Sequence, residues 1–462
     1  MKINIICISI VLSILAAFAA TAKADEADIF VQAQMRQLNI PGLSLAVVRD
    51  GKTVKATGYG LADVENNLVA APETVYEIGS VTKQFTATAV MMLAQDKKII
   101  LDDEISKYLF DLPEGWRAIT VRQLMNQTSG LPEYYENPSR QTVAGKDVIK
   151  IAAAASPKFT PGDGWNYSNT NHYLLGLIIE KASGKSYGDF LRERIFAPLG
   201  MSDTRYNDRR AIIKNRARGY DWDWGKAVLY NNEFLDVSWA FAAGGIVSTV
   251  NDLAKWDAAL YTDALVNGES KRQMWTAGKL KSGISHRYGF GWYVERINGH
   301  LNLSHGGDIP GFATYVTRYP DDKLTVIVCL NQYIYAKRIA DTIAAMYLPD
   351  LIYREISDRD PKFTELIKNL YENRAAGKSD LWKEELFTPE RWKSLKATLA
   401  DQNDIDFYKR LGSPQSVKLV ERIDDEKGLL TRYRIKYGIT ARLARFVRNA
   451  DGKITEWEDY EQ

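Results

Sequence analysis

A glycine, a serine and a lysine at the head of a strongly apolar helix restrict this chain more than any other stretch: Glu77-Ile-Gly79-Ser80-Val-Thr-Lys83, continuing through Phe85 and Met91 to Ala94. A helix this apolar belongs inside a core, so other elements must wrap around it. Ser80 and Lys83, three residues apart, face the same way. Directly after Gly79, Ser80 is expected in the first turn, where unpaired amides and the helix dipole favour developing negative charge. A lysine at the margin of a core is costly unless used. Partial desolvation by Phe85 and Met91 would loosen its proton enough to activate a serine hydroxyl. The same spacing fits a solvated helix face, but here the helix is too apolar for that.

Length sets the frame around this helix. At 462 residues, with 45% hydrophobic and 26% charged side chains, the chain reads as globular with two or three cores. Residues 1–24 stand apart: Lys2, an apolar run from Ile3 to Ala20, and Ala22-Lys23-Ala24 have the three parts of a secretory signal peptide, with cleavage expected after Ala24. The mature protein is then expected to be periplasmic or secreted, soluble, and without a stable membrane anchor after cleavage. Cleavage removes Lys2 and Lys23 and no acid, leaving 58 basic and 58 acidic residues and a formal charge of zero. A neutral chain offers no electrostatic case for nucleic acid or an anionic membrane. Cys7 lies in the leader, so Cys329 is alone in the apolar run Leu324–Leu330 and is expected to be a small buried hydrophobe.

Along the chain, residues 29–39 alternate like an amphipathic helix, and Leu43–Arg49 and Lys52–Tyr59 read as a hairpin around Asp50-Gly51. Gly58-Tyr-Gly60 lacks the third glycine of a dinucleotide fingerprint and enters no helix, so a nucleotide cofactor is not expected. From about Leu101 to Ala240 the pattern is helical, with Val121–Met125, Val148–Ala155 and Tyr173–Ala182 as clear segments. Arg205–Arg218 is basic, but three acids interrupt the region by Asp223, so it reads as a solvated face. Strand patterns return at Tyr288–Arg296, Ala313–Arg318 and Leu324–Leu330, with a helix near Ala336–Tyr347. Strands at both ends with helices between predict one α/β (α+β) domain over 25–350, interrupted by a helical insertion that walls a cleft. A polar linker at 351–361 leads to a second α+β domain over 362–462, with helices at Phe363–Ala376 and Pro389–Ala400 and then strands. It carries no motif tied to chemistry.

Two further stretches could complete a site at Ser80. Tyr167-Ser-Asn169 lies on a Pro/Gly-rich loop running straight into an apolar helix, a place where functional side chains are commonly held, though a structural tyrosine would fit as well. Leu303-Ser-His305-Gly306-Gly307-Asp308 precedes the last two strands, and its glycines would let a ligand approach the backbone or simply form a turn. The histidines at 172, 286, 300 and 305 lack ligand spacing, so no metal is expected.

Together, Ser80-Val-Thr-Lys83, Tyr167-Ser-Asn169 and His305-Gly-Gly307, in that order, resemble the serine β-lactamase and penicillin-binding superfamily, in its class C-like branch of D-amino acid peptidases and esterases. Leu124-Met-Asn-Gln-Thr-Ser-Gly-Leu-Pro132, Pro198-Leu-Gly-Met201 and Ala243-Gly-Gly-Ile-Val-Ser-Thr249 support the resemblance, which spans about residues 28–348. It implies an antiparallel sheet flanked by helices, an all-helical part opposite, and the site between them. It also implies that Ser80 forms an acyl-enzyme, that Lys83 and Tyr167 share proton transfer, and that Asn169 holds Lys83 and donates to the substrate amide. The backbone amides of Ser80 and Asp308 would form the oxyanion hole. His305 stands where many relatives carry a carboxylate-attracting lysine, and Gly306 replaces the usual threonine. Both changes weaken carboxylate recognition and rank a β-lactamase below a peptidase or esterase of D-amino acid peptides, amides or small esters. If His305 bound a carboxylate by being protonated, that binding would fade above about pH 6.5. Asp308 could instead attract a substrate amino group, or be a turn residue only. The rival readings are a non-catalytic sensor of cell-wall fragments or a partner, and a structural homo-oligomer, for which no stretch speaks.

Overall fold

The computed structural model describes residues 24–135, 140–208, 210–233, 235–425, 428–438 and 440–461. The signal peptide expected over 1–24 lies, apart from its last residue, outside the described residues.

Three mainly apolar strands dictate the centre of the fold. Gly42–Arg49, Phe312–Tyr319 and Leu324–Leu330 are buried along almost their whole length, which requires cover on both faces. Alternation still sorts their side chains. Leu43, Leu45 and Val47, with Leu324, Val326, Val328 and Leu330, face the amphipathic helices Glu26–Leu38 and Lys337–Tyr347. Ala46, Val48, Ile327 and Cys329 face the opposite way, toward the helix Val250–Leu260 and the core that also holds the helix Thr82–Gln95. The sheet is antiparallel and seven-stranded, in the order Leu68–Val69, Lys52–Asp63, Gly42–Arg49, Leu324–Leu330, Phe312–Tyr319, His300–Ile309, Tyr293–Ile297. Strands from both ends of the domain thus meet at its middle.

Between them the chain builds the helical wall, including Val121–Met125, Gly145–Ala153, Asn169–Ser183, Tyr187–Leu191, Val237–Gly244 and Val250–Leu260. This wall differs from an all-helical insertion ending near Ala240. Residue 240 falls inside a helix, helices continue to Met274, and the hairpin Tyr220–Asp223 with Val228–Asn231 stands within it. A further three-stranded sheet joins Tyr76–Glu77 and Arg205–Tyr206 to Ile246–Ser248.

Two expected elements change for steric reasons. The strand expected from Tyr288 starts at Tyr293, because 288–292 instead bends against the head of the buried helix. A Cβ on Gly291, which has φ 76°, would press on the Lys83 carbonyl. The stretch His305-Gly-Gly307 is the interior of the strand His300–Ile309, pairing residue by residue with 312–318, and not a turn ahead of the strands. Gly307 is needed for closeness: a Cβ there would overlap the Ile78 carbonyl oxygen and come within 3.1 Å of the Ser80 nitrogen.

The C-terminal unit has its own core, with Ile367, Leu370, Tyr371, Trp382, Phe387, Tyr433 and Phe446 between the helices Pro361–Ala375, Pro389–Ala400 and Gln402–Leu411 and a four-stranded antiparallel sheet. The third helix and the last strand, Ile454–Glu461, are absent from the sequence-based expectation. Strongly polar composition hides both, since each presents only a narrow apolar edge. Tyr353 of the linker packs with Val420, Leu443 and Ile297, and Arg287 Nε lies 3.1 Å from Glu458 Oε1, so the unit docks on the edge of the large sheet.

Gly307→Ala is expected to lower the stability of the large domain by roughly 1–3 kcal/mol through overpacking against the Ser80 turn. Thermal unfolding checks this, and an unchanged midpoint would remove the packing account of that glycine.

Candidate active site

The site is assembled from three directions onto one lysine. Gly79–Val81 forms a single 3₁₀ turn carrying Ser80, and the helix proper begins at Thr82, so Lys83 lies in its first turn while Ser80 sits just before it. Lys83 is 0% exposed. Its Nζ donates to Ser80 Oγ at 2.9 Å, Asn169 Oδ1 at 2.8 Å and the Ala243 carbonyl at 2.7 Å. Three acceptors satisfy the three hydrogens of an ammonium. Burial nevertheless disfavours the charged form and pushes Lys83 down to about 7, with Glu133 opposing the fall.

Each partner is placed by a different element. Asn169 opens the helix Asn169–Ser183, and Tyr167 ends the loop before it. The Tyr167 ring lies beside the Lys83 amine, 4.8 Å from the ring centre. Desolvation holds its phenol well above the usual range, and an interaction with Ser80 works against that rise. The Ala243 carbonyl reaches Lys83 because the Val237–Gly244 helix breaks at Phe241, which adopts φ 35°, ψ −129°. The same break lets the Ala242 carbonyl accept from Thr86 Oγ1 at 2.7 Å. A non-glycine residue in that region is strained, and here the strained backbone aims two carbonyls at the buried helix.

The strand His300–Ile309 closes the other side. The Asp308 nitrogen would lie 2.9 Å from a Cβ on Gly79, and the Ser80 nitrogen 3.1 Å from one on Gly307, so the strand and the Ser80 turn meet at one tight backbone contact. Ser80, Tyr134, Tyr135, Asn169, Asp308 and Ile309 line the mouth. Asp308 is exposed there, and the surrounding protein pushes its carboxyl up to about 6.

His305 departs from the sequence-based expectation. It is 2% exposed and both ring nitrogens are engaged. Nδ1 donates to the Gly306 carbonyl at 2.6 Å, since a carbonyl can only accept. That leaves Nε2 to accept from the Tyr288 hydroxyl at 2.9 Å. Desolvation and the nearby Lys83 push the imidazole down to about 3. His305 is therefore neutral and inward-facing, and a carboxylate held by its positive charge, fading above pH 6.5, is not supported. Tyr288, which it holds, packs edge-on against Tyr167 at 6.0 Å. Gly307 serves the strand's close packing, while the nearest atom to a Cβ on Gly306 would be in the Tyr315 ring, at 3.3 Å.

The structure thus unites Ser80, Lys83, Tyr167, Asn169 and the Asp308 amide, and withdraws His305 from the surface. Sequence reasoning missed Glu133, whose carboxylate accepts from the Asn169 side chain at 3.1 Å. Its only signal was its place directly after Leu124–Pro132. It also missed the Ala243 carbonyl, which no side-chain pattern can reveal.

Known proteins share this fold. Residues 27–346 match the family described as Beta-lactamase. Penicillin-binding protein 4* of Bacillus subtilis (strain 168) is 32% identical over 293 residues, 59% of this chain and 64% of its own length, so the chain spans less than two thirds of that relative. The D-amino acid amidase from Ochrobactrum anthropi SV3, solved in complex with D-phenylalanine, superposes with a TM-score of 0.62 at 26% identity, over 70% of this chain and 98% of that one. The octameric penicillin-binding protein homologue from Pyrococcus abyssi gives a TM-score of 0.62 at 22% identity over 94% of this chain and 95% of its own, sharing the fold through the C-terminal unit.

Only neutral Lys83 can take a proton, so modification of Ser80 by a fluorophosphonate is expected to rise with pH through an ionisation at about 7. A rate that does not change across that range would show that Lys83 does not control Ser80.

Proposed function

Because the chain belongs to the beta-lactamase family, whose members similar to it are serine hydrolases, we propose that it is an exported acyl-enzyme hydrolase of D-amino acid amides, peptides or small esters. The observation that carries this reading is the fully buried Lys83 amine on Ser80 Oγ, loosened to about 7. Neutral Lys83 takes the Ser80 proton as Oγ attacks the substrate carbonyl, and the Ser80 and Asp308 amides receive the oxyanion. Tyr167, which keeps its proton, relays one to the leaving amine or alkoxide as the C–N or C–O bond breaks. Water then attacks the acyl carbon and passes a proton to Lys83, and that proton goes on to Ser80 Oγ as the C–Oγ bond breaks and the acid leaves.

Charge at the mouth narrows the substrate. Among the described residues lining it, Asp308 is the one charged side chain, and the neutral His305 lies behind. A carboxylate-bearing substrate, such as a penicillin or a peptide cut at its C-terminus, meets repulsion there. A free amino group meets attraction, worth on the order of 1 kcal/mol at a solvent-exposed site. The D-phenylalanine bound to the Ochrobactrum amidase carries such a group.

Intact-protein mass spectrometry with a fluorophosphonate should give one adduct on the mature chain and none on Ser80→Ala. With D-alanine p-nitroanilide, N-acetylation or Asp308→Asn is expected to lower kcat/KM by roughly threefold to tenfold. No adduct on well-folded protein would turn the reading to a non-catalytic sensor. Preference for the acetylated substrate or for penicillin would reverse the charge argument. Export is tested by fractionation and the N-terminal sequence of the mature chain.

A further inference from the structure

We propose that Glu133 is a positioning residue that fixes which end of the Asn169 amide faces Lys83. The inference rests on Ser80 being the nucleophile that Lys83 serves. Glu133 lies in the loop directly after Pro132, and both oxygens of its carboxylate are engaged. Oε1 accepts from the backbone amides of Tyr134 at 2.9 Å and Tyr135 at 3.0 Å. Oε2 accepts from the Asn169 backbone amide at 2.8 Å and from Asn169 Nδ2 at 3.1 Å.

A carboxylate only accepts and an ammonium only donates, so Asn169, between them, has one possible orientation. Its nitrogen faces Glu133 and its oxygen faces Lys83, at 2.8 Å. The second hydrogen on Nδ2 stays available for a substrate amide oxygen. Without the carboxylate the orientation loses its cause. A neutral Lys83 could then accept from a reversed amide, and the reversed amide would hold the amine neutral and present no acceptor when the Ser80 proton arrives. Glu133 thus ensures that the ammonium formed during attack meets an acceptor and a nearby negative charge.

The groups around Lys83 leave this role to Glu133. Tyr167 stays protonated. His172 and His305 are both pushed down by burial and by Lys83 itself, and carry no charge. Asp308 acts on Tyr167 from the mouth. Glu133 is the group that favours the charged form of Lys83.

The test is the rate of fluorophosphonate modification of Ser80 against pH, followed by intact mass and normalised to folded protein, in the wild type, Glu133→Gln and Glu133→Asp. Glutamine is nearly isosteric but cannot accept on both sides. It is expected to move the acidic limb to lower pH by on the order of one unit and to lower the plateau roughly tenfold. Aspartate keeps the charge and should keep the limb near its wild-type position. A merely structural role would lower the plateau in either variant without moving the limb. A limb unmoved by Glu133→Gln, or displaced equally by Glu133→Asp, overturns the proposal. If the glutamine variant does not fold, Glu133→Ala, which also removes the charge, takes its place, and a limb it leaves unmoved overturns the proposal. An ionisation of Asp308 is common to all three proteins and cancels in the comparison. Absence of any adduct on the wild type is a different failure: it removes the nucleophile reading itself, before any variant is compared.

Discussion

The buried amine of Lys83 is the interaction on which the remaining structure depends. A lysine taken wholly out of water must either lose its charge or find full compensation, and this protein balances the two. Three acceptors from three separate segments meet the nitrogen, while the apolar packing around the helix Thr82–Gln95 keeps water away. Neither half would suffice. Apolar burial alone would leave a base with nothing to hold it, and acceptors alone would leave an ordinary ammonium near its usual range.

Bringing three acceptors to one point constrains backbone far from Ser80. The helix Val237–Gly244 breaks at Phe241, and the ring of Phe241 is gripped by Tyr173, Tyr187 and Tyr206. That grip is what over-determines the strained residue and holds its neighbours' carbonyls in place. On the opposite side, the strand His300–Ile309 lies so near the Ser80 turn that side chains are excluded at the contact. Buried His305 ties that strand to Tyr288, and Tyr288 to Tyr167. The adjacent Arg287 reaches Glu458 of the C-terminal sheet, so the small unit touches the segment that carries Tyr288.

Much of this was legible in the sequence. Mainly apolar strands, the apolar helix after Lys83 and the loop before Asn169 are local patterns, and each became the element they suggest. Ser80, Lys83, Tyr167 and Asn169, which the structure brings together, were legible because they stand beside recognisable structural breaks. His305 was misread because its spacing says nothing about burial, and a histidine flanked by glycines looks the same whether it faces solvent or a tyrosine. Glu133 was passed over because an acid after a proline is ordinary in a loop.

The sequence by itself determined which residue types the site contains, the order in which the chain supplies them, and the two-faced strands and buried helix that carry them. These follow from periodicity and from the cost of exposing apolar surface, which are properties of short stretches. Only the tertiary structure decided the charge states: a neutral His305, a loosened Lys83 and an Asn169 with one permitted orientation. The reason is that proton affinity and amide orientation depend on which distant groups surround an atom and how little water remains there, and those surroundings exist only once the chain has closed.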